Sequence, residues 1–200
     1  YVGGNIEWIK AGTFYLSEWD TPPSGLEAHF VARDLFEFFI ATDNTKLPNM
    51  SSTQYGNLAN IITWATNTHL PPGASIIMDS SLSSSKGRQY GADGTYAEMV
   101  QKCANAGCCI LRYDRNGVLH VEPLNKTLTE YRITQALSYS HPVVKLSKPL
   151  KQVVVDYGGE TPYSLNVSTD GEIQTVTNHY IYTEEAAKAV AAWVSNILTS

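Results

Sequence analysis

The chain has 200 residues, 43% of them hydrophobic and 16% charged, with a formal net charge of −5. That composition excludes wholesale disorder. The balance of 14 basic against 19 acidic residues excludes a nonspecific grip on nucleic-acid backbones, which needs a cationic surplus to release counterions. No apolar run approaches the roughly 18–20 residues of a membrane helix; the longest lies near Ala189 to Val194. The length accommodates one large domain or two small ones, and 12 Tyr with 4 Trp lean toward β-rich structure. The chain opens on Tyr1-Val2-Gly3-Gly4 with no signal-peptide pattern and ends directly after a helix-like stretch, so it reads as a piece of a longer protein. Three cysteines, Cys103, Cys108 and Cys109, do not make a disulfide framework and fit a reducing compartment.

The first segment reads as two strands. Gly12 to Trp19 alternates, with Phe14, Leu16 and Glu18 on one face and Thr13, Tyr15, Ser17 and Trp19 on the other. Thr21-Pro22-Pro23-Ser24-Gly25 is a turn, and Leu26 to Arg33 alternates again, which predicts an antiparallel hairpin with a long loop. Asp34 to Phe39 breaks the alternation as a short helical turn. A capping box at Ser51 and Gln54 then predicts a helix carrying Tyr55, Leu58, Ala59 and Ile62, stopped by Pro71-Pro72-Gly73. Ala74 to Met78 reads as a strand and Ser80 to Gly94 as a loop. Thr95 and Glu98 form a second capping box before Tyr96, Met99, Val100 and Cys103, with Gly107 suited to the left-handed position past the helix end. Cys108 to Tyr113 and Val118 to Pro123 flank the turn Asp114-Arg115-Asn116-Gly117. Val143 to Leu146 and Gln152 to Tyr157 read as strands. Tyr163 to Val167 and Glu172 to Val176 read as a hairpin about Asp170-Gly171. Thr183, followed by Glu184 and Glu185, caps a last helix with Ala187, Val190, Ala191, Val194, Ile197 and Leu198 on one face.

A search for chemistry assigns no catalytic, cofactor-binding or metal-binding residue. Gly91-Ala92-Asp93-Gly94 lacks the Gly-Lys-Ser/Thr ending of a phosphate loop. The histidines His29, His69, His120, His141 and His179 are scattered, with no two on one helical face. The sharpest catalytic constellation is Cys108 or Cys109 meeting His120 across the hairpin, against which stands the habit of free cysteine to pack as a small hydrophobe. The carboxylate pairs Glu18 with Asp20 and Glu184 with Glu185 read as a solvated strand end and a helix N-terminus. Trp8, Trp19, Trp64 and Trp193 read mostly as core.

The order of motifs is more informative. Gly12-Thr13-Phe14-Tyr15-Leu16-Ser17-Glu18-Trp19 leads to Ala28 through Asp34-Leu35. The stretch Thr95-Tyr96-Ala97-Glu98-Met99-Val100 then runs into Arg112-Tyr113-Asp114-Arg115-Asn116-Gly117-Val118-Leu119. Gln152-Val153-Val154-Val155-Asp156-Tyr157 follows, and Asn178-His179-Tyr180-Ile181-Tyr182-Thr183 introduces the alanine-rich helix. This order resembles the hub-type tail proteins of tailed phages and prophages, the baseplate-hub family. The resemblance implies an α+β fold in which an antiparallel β-barrel portion is interrupted by an inserted α+β domain. Residues 1–36 and 141–160 would be parts of the split barrel, 37–140 the insertion, and 161–200 the start of a following domain. It implies a non-enzymatic structural protein of the tail tip, a homotrimer joining tail tube to spike or fibre, with no cofactor and no membrane segment. Such a protein resides in the virion tail, or in the bacterial cytoplasm when expressed from a prophage. The sequence departs from the pattern in lacking the opening barrel's first strands and the second barrel's body. Two other classes fit parts of the sequence: a thiol or cell-wall hydrolase on Cys108 or Cys109 with His120, and a carbohydrate- or surface-binding β module using its aromatic residues.

Overall fold

The computed structural model describes residues 12–23, 25, 27–40, 50–88, 95–124 and 148–199. Strands β1 (Tyr15–Asp20) and β2 (His29–Arg33) pair antiparallel as a two-stranded ribbon, followed by α1 (Glu37–Ile40). The turn between them is closed by a Gly25 N–H to Pro22 carbonyl bond of 2.9 Å. A middle unit follows: α2 (Leu58–His69), β3 (Ile76–Met78), α3 (Ser81–Ser84), α4 (Tyr96–Ala106), β4 (Cys109–Tyr113) and β5 (Leu119–Pro123). The last unit is β6 (Leu150–Asp156), β7 (Tyr163–Asn166), β8 (Glu172–Thr177) and α5 (Glu184–Thr199). The fold is mixed α+β, with three sheets and five helices among the described residues.

The middle and last units solve the same problem alike. Each has a three-stranded mixed sheet whose central strand carries two fully buried residues at alternate positions, Leu119 and Val121 on β5, Val153 and Val155 on β6. Side chains two apart on a strand share a face, and a helix covers that face: α4 packs on β4, α5 on β6 and β7. The buried side chains of both units join one cluster, which also takes in Leu35 and Phe39 from the α1 region. Asn178, itself buried, ties the units by donating from Nδ2 to the Lys102 carbonyl at 2.7 Å.

Local signals locate most element ends. Thr95 Oγ1 accepts the Glu98 N–H at 3.4 Å to start α4, and Thr183 Oγ1 accepts that of Ala186 at 3.2 Å ahead of α5. The β4–β5 turn is held by Asp114 Oδ1, which accepts the Asn116 and Val118 N–H groups at 2.8 and 2.9 Å. Other expectations change. Ser51 and Gln54 do bond reciprocally, but they close a turn, and α2 starts at Asn57, whose Oδ1 accepts the Asn60 N–H at 2.7 Å. The stretch predicted as a loop after Ser80 contains α3, because Leu82 drops fully into the core. Past α4 the left-handed residue is Cys108 (φ 57°), not Gly107. A Cβ at Gly107 would lie 2.3 Å from Leu82 Cδ2 and would require that buried side chain to shift.

The largest departure concerns β6. It lies between β7, antiparallel, and β8, parallel, so β7 and β8 do not form the hairpin expected about Asp170-Gly171. That segment instead crosses under the start of β6: the Val167 and Glu172 N–H groups bond the Lys151 and Pro149 carbonyls at 2.9 and 2.8 Å. Gly171, at φ +124°, passes so close that a Cβ would sit 1.9 Å from the Pro149 carbonyl oxygen. With both edges of β6 occupied, it has no free backbone groups to offer the early hairpin. The single β-wall expected to join residues 12–33 to Val153–Val155 does not form among the described residues, and no closed barrel does either. The strand expected over Val143 to Leu146 lies outside the described residues.

Candidate functional site

Among the described sheets, the ribbon is the one whose strands are exposed throughout. Its pairing is Leu16 with Ala32, Glu18 with Val31, Trp19 with Phe30 and Asp20 with His29, with a bulge at Ser17. Strict alternation would put Leu16 and Trp19 on opposite faces. The extra residue resets the parity, and paired residues share a face, so Leu16, Ala32, Trp19 and Phe30 line one side. That side is wholly apolar, with Leu16, Trp19 and Phe30 at 62%, 70% and 71% exposure. The other side carries Tyr15, Glu18, Asp20, His29, Val31 and Arg33. An isolated two-stranded ribbon is marginal in water, and a contiguous exposed apolar face marks an interaction site.

The base of the ribbon is anchored to the body. Thr13 Oγ1 donates to the Arg115 carbonyl at 3.1 Å, and Tyr15 meets Phe38 edge-on with ring centroids 5.4 Å apart. Arg33 forks onto Glu37, Nη1 lying 2.8 and 2.9 Å from the two carboxylate oxygens. Phe36 continues the contact into Tyr113 at 6.3 Å. The Tyr113 hydroxyl is buried with no hydrogen-bond partner among the described residues, and burial, reinforced by Asp34, pushes its pKa upward.

The Cys–His constellation is not assembled. Cys109 pairs with Pro123 and Arg112 with His120. Residues 109 and 111 therefore face the core, while 110, 112, 120 and 122 face out. Cys109 is fully buried and its pKa is pushed up to about 11, chiefly by desolvation. Cys108 lies outside β4 in the left-handed conformation, four residues before the Arg112 that pairs with His120, and burial raises its thiol pKa too. Both shifts disfavour thiolate. Cys103 is fully buried on α4. His120 faces carboxylates instead, Nε2 lying 3.3 Å from Asp114 Oδ2 and Nδ1 3.7 Å from Glu122 Oε2. No group of three His, Cys, Asp or Glu side chains converges as a metal site among the described residues.

The remaining residues singled out by sequence are dispersed. Glu18 and Asp20 sit on the polar side of the ribbon, and Glu184 pairs with Lys188 at 2.9 Å. His29 is exposed near Glu27, His69 packs against Tyr96, and His179 lies 3.9 Å from Asp156. Trp19 is exposed, while Trp64 and Trp193 are half-buried, Trp64 being packed against the core. Trp8, His141 and Gly91–Gly94 lie outside the described residues. No described helix is long and apolar enough to cross a membrane.

No family model matches the sequence, and no curated protein matches it. Solved structures do share its fold. A tail protein from Neisseria meningitidis MC58 superposes over 92% of this chain with TM-score 0.59 at 12% identity. The 43 kDa tail protein of prophage MuSo2 from Shewanella oneidensis does so over 92% with TM-score 0.51 at 15% identity. At these identities the likeness is one of fold, and the folds matched are those of tail proteins, the class to which the motif order pointed. This chain spans 60% and 57% of those two chains.

Proposed function

We propose that this chain is a structural component of a phage or prophage tail. Its place is the tip or baseplate hub, joining tail tube to spike or fibre as a homotrimer in the virion. The observation that carries this reading is the ribbon: an apolar β-face left in water, on a chain folded like two tail proteins. A scaffold needs such a face, since association is driven by apolar area removed from water. In this reading the ribbon is part of a barrel wall and residues 37–140 are its insertion. No catalytic role is proposed, and the opposite-facing Cys109 and His120 support that choice.

The test is the solution mass of the chain by light scattering, alone and with Trp19→Ser/Phe30→Ser. A trimer converted to monomer by the double substitution is the expected result. A monomer at every concentration, or a trimer indifferent to the substitutions, would sink the reading.

A further inference from the structure

The outer face of α2 carries a feature that tail assembly does not use. Asn60, Thr63, Trp64, Asn67 and Thr68 recur at the spacing that places side chains on one side of a helix. With Thr53 and Gln54 from the preceding turn they line an open, shallow hollow of about 480 Å³. Six of these seven residues are uncharged hydrogen-bonding side chains, and the seventh is an indole.

The indole is wedged against the core by two neighbouring rings. Its ring centroid lies 5.9 Å from that of His69 and 5.8 Å from that of Tyr96, while His69 and Tyr96 lie 3.8 Å apart. Burial lowers the His69 pKa, so the backing is uncharged at neutral pH. Several polar groups are oriented yet keep spare capacity. Asn60 Nδ2 donates to the Thr53 carbonyl at 2.7 Å, leaving its Oδ1 as an acceptor. The Thr68 hydroxyl donates to the Trp64 carbonyl at 2.7 Å and can still accept. Gln54 Oε1 accepts the Ser51 N–H at 2.7 Å, leaving its amide N–H donors.

We infer that this face of α2 binds a neutral saccharide, one sugar ring stacking on Trp64 and its hydroxyls bonding the surrounding amides and hydroxyls. Among the described residues the lining has no cation to attract phosphate, sulfate or carboxylate, and no carboxylate to attract a base. A single apolar group is too little for a hydrocarbon ligand. A sugar ring presents what the hollow complements, an apolar C–H face rimmed by neutral donors and acceptors. The site stands apart from the ribbon, so the saccharide reading and the assembly reading fail independently.

The test titrates the full chain with cellotetraose, maltotetraose and chitotetraose, with polygalacturonate as the anionic counterpart, following the Trp64 indole N–H by NMR. At least one neutral sugar is expected to bind with Kd below about 1 mM, and polygalacturonate not to bind. Asn67→Ala, at an exposed position, should weaken binding about tenfold without touching the fold, and Trp64→Phe should weaken it about threefold. Failure of all three sugars at about 10 mM, binding indifferent to both substitutions, or equal binding of polygalacturonate would each overturn the inference.

Discussion

Trp19 and Phe30 face each other across β1 and β2 much as Leu111 and Val121 do across β4 and β5. Yet Trp19 is 70% exposed, while Val121 is fully buried. The strand chemistry is the same, and what differs is a third layer. α4 lies on the β4–β5 sheet and α5 on the sheet of β6, whereas α1 reaches only the base of the ribbon, through Phe38. Pairing strands satisfies backbone groups, but apolar area leaves water only when something lies across the face. The body therefore owes its stability to burial within the chain, whereas no described element lies across the ribbon's apolar side.

Substitutions in the two regions should separate accordingly. Gly171→Ala should be the most damaging, by about 3 kcal/mol in denaturant unfolding, because positive φ and collision with Pro149 act together. A neutral result would show that the crossing beneath β6 does not hold in solution. Asn178→Ala should cost about 2 kcal/mol, since it strands the Lys102 carbonyl and the Tyr180 N–H that the side chain now pairs. A much smaller loss would mean that the two sheet units are joined by apolar packing alone.

A pH series probes the body more gently. Burial holds the His69 pKa below its ordinary value of 6.5, so the unfolded chain takes up that proton first. Stability from this group is intact above about pH 6.5, falls as the pH drops through that value, and levels off below the folded-state pKa. His69→Phe keeps a ring on Tyr96 and should flatten this part of the Tm–pH curve. Asp79 and Asp114, whose pKa values are depressed by hydrogen bonds from Ser81 and from the Val118 N–H respectively, lose their contribution only in stronger acid. The smallest effect belongs to the ribbon. Phe30→Ser should change unfolding stability of the unassociated chain by no more than about 0.5 kcal/mol. A larger loss would place Phe30 against the body and erase the contrast between the regions.

Much of the candidate surface is legible in the sequence. Both ribbon strands, their turn and the apolar residues on them follow from period and proline–glycine punctuation. Their assignment to faces did not, because a one-residue bulge at Ser17 leaves no mark in an alternating pattern. The α2 hollow is written at helical spacing in Asn60, Thr63, Trp64, Asn67 and Thr68, but a tryptophan read as core conceals it.

What the sequence determined by itself is local. Caps at Thr95 and Thr183, the Asp114 turn and the apolar stripes of α4 and α5 each depend on residues a few positions apart, so short-range hydrogen bonds and side-chain period suffice to specify them. Only the tertiary structure decided that β6 would sit between β7 and β8, that Cys109 and His120 would face apart, and that no described element would cover the ribbon. Those outcomes depend on which distant surfaces compete to bury the same valines and aromatics, a competition that no local pattern encodes.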